Sequence, residues 1–297
     1  MKYTLSEFLM YLKNERNYSD LTIKSYREDL LEFLKICNLK ELYEGTKIDI
    51  KKYLKYLHDQ NKSNTTICRK MSTLKSYYKY LSKRSSYPNI MNDIKLPKKV
   101  KKLPSFVNYS DLEEILKISS EHKFGSRNNL IIELLYATGV RVSELVNIKL
   151  GDINFSDKTI RILGKGNKER IVYFGEYAEE AMLDYINNLR CQLLDNKETD
   201  FLFLNKYGCK ISDRSIRNII EDIIKRSSVK MHVSPHTIRH TFATHLLTEG
   251  CDLKSVQYLL GHENLSTTQI YTHVTDEALR NIYLHSHPRA ESEDISE

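Results

Sequence analysis

The sequence of 297 residues has no apolar run near the roughly 18 residues that a membrane span needs. Its opening, MKYTLSEFLMYLK, breaks its apolar residues with charges where a secretion signal would not. A membrane or exported protein is therefore not expected, and the chain reads as cytoplasmic. Its five cysteines, Cys37, Cys68, Cys191, Cys209 and Cys251, are odd in number, scattered and without a C-x-x-C pair. That excludes a regular disulfide framework and favours reduced, structural thiols. No internal repeat or low-complexity tract stands out.

What is present is enough apolar material, 40% of the chain, for the core of one large domain or two ordinary ones. The net charge of +7 is unevenly spread. Residues 1–102 carry 23 Lys and Arg against 11 Asp and Glu, a net +12, and the remainder carries 23 against 28, a net −5. The N-terminal third is thus the part that would face a polyanion. A basic face attracts nucleic acid through counterion release, and it can equally be a solvated surface.

The first ninety residues repeat apolar positions at helical spacing in LSEFLMYLKNE, LTIKSYREDLLEFLKI and IDIKKYLKYLHDQ, with TTICRKMSTLKSYYKYL as a fourth helix. Ser19 is a candidate cap, as is Asn64 or Thr65. The fourth helix sets Arg69, Lys70 and Lys75 beside tyrosines. That combination suits a nucleic-acid groove or, equally, a tyrosine core with solvated cations. KLPKKVKKLP, residues 95–104, reads as a basic linker. Beyond it, Ser110 with Glu113 three residues later predicts a capping box. Between Gly151 and Phe174 the period shortens, and TIRIL and ERIVYF around GKGNK predict a β-hairpin before helices resume. The fold class is therefore mainly α (α+β), with a small antiparallel sheet.

HTIRHTFATH, residues 236–245, concentrates three histidines and an arginine. Ser234-Pro235 predicts a helix start just before it. On that helix His236, Arg239 and His240 share a face, while His245 points about 140° away from His240. Three readings are open: a grip on phosphate, structural histidines, or a metal site. The adjacent cation and the missing H-E-x-x-H pattern count against metal. A fixed guanidinium, imidazole donors and the amides of a helix N-terminus suit phosphate. Farther on, Asp252 and Gly261 bracket a short helix, with His262 directly after the stop. Ser266 and Gln269 form a second capping-box pattern, with Tyr271 behind them.

LLYATGVRVSEL, GKGNK, HTIRHTFATHLL and LLGHENLSTTQIYTHV, in that order, resemble the tyrosine recombinases and most closely their Xer branch. NYSDLTIKSYREDLLEFL also resembles that family's N-terminal core-binding domain, so the likeness spans nearly the whole chain. The resemblance implies a four-helix core-binding, DNA-binding domain at 1–94, the basic linker at 95–104, and a larger helical catalytic domain at 105–297. Within the last, TDEALRNIYLHSHPRA is similar to a tail that docks into a neighbouring subunit. The implied catalytic set is Arg141, Lys165, His236, Arg239, His262 and Tyr271.

On that reading Tyr271 attacks a phosphodiester to give a 3′-phosphotyrosyl bond and a free 5′-hydroxyl. A phenol with a pKa of about 10 needs help to lose its proton. Arg141 and Arg239 face the non-bridging oxygens, and His262 adds a hydrogen bond there. His236 accepts the tyrosine's proton, and Lys165 protonates the leaving oxygen. Arg141 also has a purely structural option, a pair with Glu144. No cofactor and no metal is implied. The expected partner is double-stranded DNA, held by a homo- or hetero-tetramer that exchanges strands through a Holliday junction. For the Xer branch the implied task is chromosome dimer resolution at a dif-like site, with a second Xer recombinase and a septal DNA translocase as further partners. The alternatives are an integrase of a phage, transposon or integron, a type IB topoisomerase, and a catalytically idle DNA-binding protein. Against arm-type integrases, the chain begins almost at once with core-binding helices and leaves no room for an arm-binding domain.

Overall fold

The computed structural model describes residues 4–94, 96–97, 106–164, 168–195, 197–261 and 276–290. The chain divides into two compact units, 1–103 and 104–297.

The first unit is built on four helices, α1 (Leu5–Asn14), α2 (Asp20–Cys37), α3 (Lys47–Asp59) and α4 (Asn64–Arg84), with a single 3-10 turn at Leu42–Glu44. Local chemistry starts each helix. The Thr4 hydroxyl accepts the Glu7 amide while the Glu7 carboxylate accepts the Thr4 amide, and Ser19 caps α2 as its sequence indicates. For α4 the cap is Ser63, not Asn64 or Thr65, because its hydroxyl is the one that reaches the Thr66 amide. The helices close on a core that includes Phe8, Phe33, Tyr53, Tyr77 and Tyr78.

The fourth helix resolves its two readings residue by residue. Its tyrosines Tyr77, Tyr78 and Tyr80 are buried, and so is Lys70. Lys70 donates to Asp29 and Glu32 at 3.1 and 2.7 Å, and Arg69 forks onto both oxygens of Asp29. Burial works to discharge Lys70, but its bonds to Glu32 and Asp29 win and raise its pKa. Two of the three cations singled out on this helix therefore answer carboxylates of α2. Lys75 alone of them stays on the exposed surface, with no such pairing among the described residues.

The second unit opens with α5 (Tyr109–Ser120). Its cap is Asn108, not Ser110, because the Asn108 side-chain oxygen takes both the Asp111 amide and the Ser110 hydroxyl. The serine expected to start the helix lies inside its first turn. Nearly every residue of α6 (Gly125–Thr138) is buried, the polar Arg127, Asn128, Glu133 and Thr138 among them, which makes it the central helix. α7 (Val142–Leu145) is a single turn. Then comes a three-stranded antiparallel sheet of β1 (Ile153–Asn154), β2 (Thr159–Leu163) and β3 (Glu169–Tyr173). The hairpin register runs from Thr159 opposite Tyr173 to Leu163 opposite Glu169, with Ile160 and Ile162 facing the core. α8 (Glu176–Tyr185), a π-helical turn, α9 (Cys191–Leu194) and α10 (Asp213–Arg226) follow. α11 (Pro235–Thr248) starts at Ser234 with proline in its first turn, and α12 (Leu253–Leu260) runs from Asp252 to Gly261, both as their sequences indicate.

The last element is α13 (Asp276–Ser286), which packs on α11 and α12 of its own unit. Tyr283 and His287 are buried, Arg289 donates to Glu133 of α6, and the Ala290 carbonyl accepts the Glu176 amide. In the segment compared above with a subunit-docking tail, residues 276–290 thus pack against their own chain. The five cysteines are unpaired, with Cys37, Cys68 and Cys251 buried. Among the described residues no helix is long and apolar enough to cross a membrane.

Candidate functional site: an arginine cradle

Three of the sequence's six candidates, Arg141, His236 and Arg239, lie among the described residues, and the fold brings them together. Lys165, His262 and Tyr271 lie outside the described residues.

The junction begins at Gly139. It ends α6 with φ of +59°, a left-handed turn natural to glycine. A side chain there would also strike Phe242 of α11 at 2.5 Å and Leu260 of α12 at 2.9 Å. The absence of a side chain lets α11 and α12 close over the end of α6. Arg239 then reaches inward: its Nη1 donates to the Gly139 carbonyl at 2.5 Å and its Nη2 to the Leu260 carbonyl at 2.8 Å. These two carbonyls belong to the C-terminal ends of α6 and α12, where unpaired acceptors and partial negative charge favour a cation. Burial lowers the Arg239 pKa to about 10, assisted by the charges of Arg141 and Arg170 and resisted by Glu144. At neutral pH it keeps its proton.

Two residues after Gly139, Arg141 takes the N-cap position of α7. Its amide donates to Glu144 Oε2 at 2.8 Å and its Nη1 to Oε1 at 2.9 Å. The pairing with Glu144 is therefore real, but it leaves 39% of the Arg141 side chain exposed. Arg170 of β3 meets the same carboxylate from the other side, with Nη1 on Oε1 at 3.0 Å and Nη2 on Oε2 at 2.8 Å. Burial works to raise the Glu144 pKa, but Arg170, the Arg141 amide and the Arg141 guanidinium overcome it and hold it at about 2.

His236 stands exposed in the first turn of α11. Its pKa falls below the usual 6.5, first through desolvation and then through the charges of Arg217, Arg239 and Arg141. A neutral imidazole at neutral pH can accept a proton, so this environment suits a base. His240, on the same face, is half-buried. His245 is a packed histidine, its Nδ1 2.8 Å from the Tyr136 hydroxyl and its ring stacked 4.0 Å from Tyr109.

The sequence reading missed Arg170 and Arg217. Each is one arginine on a strand or a helix, with no local pattern to mark it. The described cluster holds more arginines than the single carboxylate threaded through it, which is what a dianionic transition state at phosphorus requires. A cavity of about 570 Å³ elsewhere, against α8, is lined by Glu176, Glu179, Glu180 and Asp184 and would repel the same ligand.

The chain resembles known proteins in both of its units. Residues 105–278 match the phage integrase family, and residues 5–85 match the phage integrase N-terminal SAM-like domain. A tyrosine recombinase XerC of Anoxybacillus flavithermus is 48% identical over 297 residues, covering 98% of this chain and 99% of its own. Another of that name from Oceanobacillus iheyensis is 44% identical and covers 96% of each chain. Among solved structures, the XerH site-specific recombinase bound to its difH substrate in a pre-cleavage complex is 26% identical. It aligns with a TM-score of 0.66 over 95% of this chain and 84% of its own.

Proposed function

Given that the chain belongs to the phage integrase family of tyrosine recombinases and is a Xer-type site-specific recombinase, we propose that it exchanges DNA strands with the six residues named from its sequence. Arg141 and Arg239 take the non-bridging oxygens of the scissile phosphate, and His262 donates a further hydrogen bond to them. His236 receives the proton of Tyr271 as its oxygen bonds to phosphorus. Lys165 gives a proton to the 5′-oxygen as that bond breaks. The 3′-phosphotyrosyl bond conserves the energy of the broken link, so another strand's 5′-hydroxyl reverses the step and completes a transfer.

One observation carries this reading: desolvation first, then the charges of Arg217, Arg239 and Arg141, lower the pKa of His236, so Arg141 and Arg239, 98 positions apart in sequence, lie close to one imidazole. The basic first unit serves as the DNA clamp, the second as the catalytic domain, and the segment 95–104 links them. The working assembly is a tetramer on two duplexes, alone or with a second Xer protein, that passes through a Holliday junction. The XerC relatives and the difH-bound XerH structure support resolution of chromosome dimers at a dif-like site in the cytoplasm, with a septal DNA translocase as partner.

The test is incubation with a nicked dif-like duplex, then a denaturing gel and peptide mapping. An adduct at Tyr271 is expected, lost in Tyr271→Phe while binding persists. Strong binding with no adduct would instead identify an idle DNA-binding protein, and an adduct at another residue would reject the assignment.

A further inference from the structure

We infer that Arg170 is a positioning residue for strand cleavage, the counter-cation that occupies Glu144 and so leaves Arg141 free to receive the scissile phosphate. The inference rests on the assignment of Arg141 above. It starts from an imbalance between two arginines on one carboxylate. Arg170 covers both oxygens of Glu144, while the Arg141 guanidinium touches one of them through Nη1 alone. The Arg170 side chain is 17% exposed and Glu144 5%, whereas Arg141 remains 39% exposed. A bidentate fork is the strongest match a carboxylate has, so Glu144 is already answered from the protein side. Without Arg170, the nearest cation able to satisfy this buried charge is Arg141. Its fork would swing fully onto Glu144, because a buried carboxylate with too few partners is costly.

Arg170 also stands where three parts of the fold meet. It belongs to β3, the strand that leaves the hairpin turn. A side chain on Gly164, at the other side of that turn, would come 3.5 Å from Arg170 Nη1. A side chain on Gly261, which ends α12 with φ of +65°, would lie 2.7 Å from Arg170 Cδ and 2.9 Å from its Nε. The stem of Arg170 fills the space that Gly261 leaves open. One side chain therefore sets the hairpin, the cap of α7 and the end of α12 against one another, next to Arg141.

The experiment measures single-turnover cleavage of the nicked duplex by the full chain. Arg170→Gln should cut the rate about 100-fold with duplex affinity held within about twofold, since the lost interaction acts on the transition state. Removing the orphaned charge should then restore function: Glu144→Gln in the Arg170→Gln background should regain about tenfold or more over Arg170→Gln alone. A packing role for Arg170 would show no such rescue. A second readout uses a scissile methylphosphonate, in which a methyl group replaces one charged oxygen. The Arg170→Gln deficit should shrink to less than about tenfold there, as should that of Arg141→Ala. A wild-type rate for Arg170→Gln, a failed rescue by Glu144→Gln, or equal deficits on both substrates would overturn the inference. A wild-type rate for Arg141→Ala would overturn the catalytic assignment beneath it, and the inference with it. Arg170→Lys guards against a folding artefact. It keeps the charge without the fork, and a melting temperature near wild type with an intermediate rate is expected.

Discussion

The two units each bury a carboxylate among cations, and they balance it differently. In the first, Asp29 and Glu32 face Arg69 and Lys70, charge against charge, with the Thr73 hydroxyl taking a remaining acceptor. In the second, Glu144 holds Arg141 and Arg170 while Arg239, on two backbone carbonyls, and Arg217 stand near with no carboxylate partner among the described residues. The contrast teaches that the count of cations does not mark a phosphate site. What marks it is the positive charge left over after the internal carboxylates are satisfied. The balanced cluster holds a fold together, and the unbalanced one has the charge to take an anion.

The largest expected effect falls on the unbalanced side. Arg239→Lys keeps the charge but cannot bridge the Gly139 and Leu260 carbonyls and still face a phosphate, so cleavage should fall about 10³-fold. Single-turnover gels with duplex affinity as the control measure this, and a loss under tenfold would remove Arg239 from the site. On the balanced side the expected damage is to stability. Asp29→Asn takes one of its two carboxylates from buried Lys70, leaving Glu32, and takes from Arg69 the carboxylate it forks onto, and should cost about 3 kcal/mol in urea unfolding. Asp29→Leu with Lys70→Met should recover most of that cost. A similar loss in the double variant would mean that packing, not charge, holds α2 to α4.

His236 adds a pH test. Its pKa lies below 6.5, so the neutral base persists as pH falls past that value, and the cleavage rate should decline only below it. His236→Gln should lower the rate about 100-fold and erase that acid limb. An unchanged acid limb in the variant would assign it to another group. Buried His287 provides a stability counterpart. Burial first, aided by the charges of Arg289 and His245, lowers its pKa to about 3, against 6.5 for a free histidine. Between those values the unfolded chain binds a proton that the folded one refuses. Stability is therefore full above pH 6.5 and declines by about 1.4 kcal/mol per unit below it. Urea melts at pH 7 and pH 5 should show that slope, and His287→Gln should flatten it. The smallest effect belongs to exposed Lys75. Lys75→Ala should leave stability within about 0.5 kcal/mol and weaken DNA binding alike for all sequences, reducing the salt slope by about one. No change in that slope would take Lys75 off the DNA face.

Legibility followed locality. The hairpin showed in the sequence because TIRIL and ERIVYF alternate over a few residues, and the starts at Ser19, Ser234 and Asp252 because a cap needs only a hydroxyl or carboxylate at one spot. Where polar neighbours competed, the structure chose Ser63 over Asn64 and Thr65, and Asn108 over Ser110, by which oxygen reaches the third amide. Sequence spacing does not encode that distance. Arg69 and Lys70 could not be sorted from Lys75 because their partners lie on α2, about forty positions away. Of the candidate site, Arg141, His236 and Arg239 were legible through motifs. Arg170 and Arg217 were not, since their meaning comes from what the fold sets beside them.

Arg239 is pinned by two backbone carbonyls and Arg141 by a carboxylate, so the two guanidinium forks that a phosphate would meet are built differently. The two non-bridging oxygens of such a phosphate would no longer be equivalent. One would lie against a rigid donor seated in the core, the other against a donor that can still turn toward Glu144. Chirality at phosphorus would then matter, and a single sulfur placed in one configuration or the other would be handled at different speeds by the same protein.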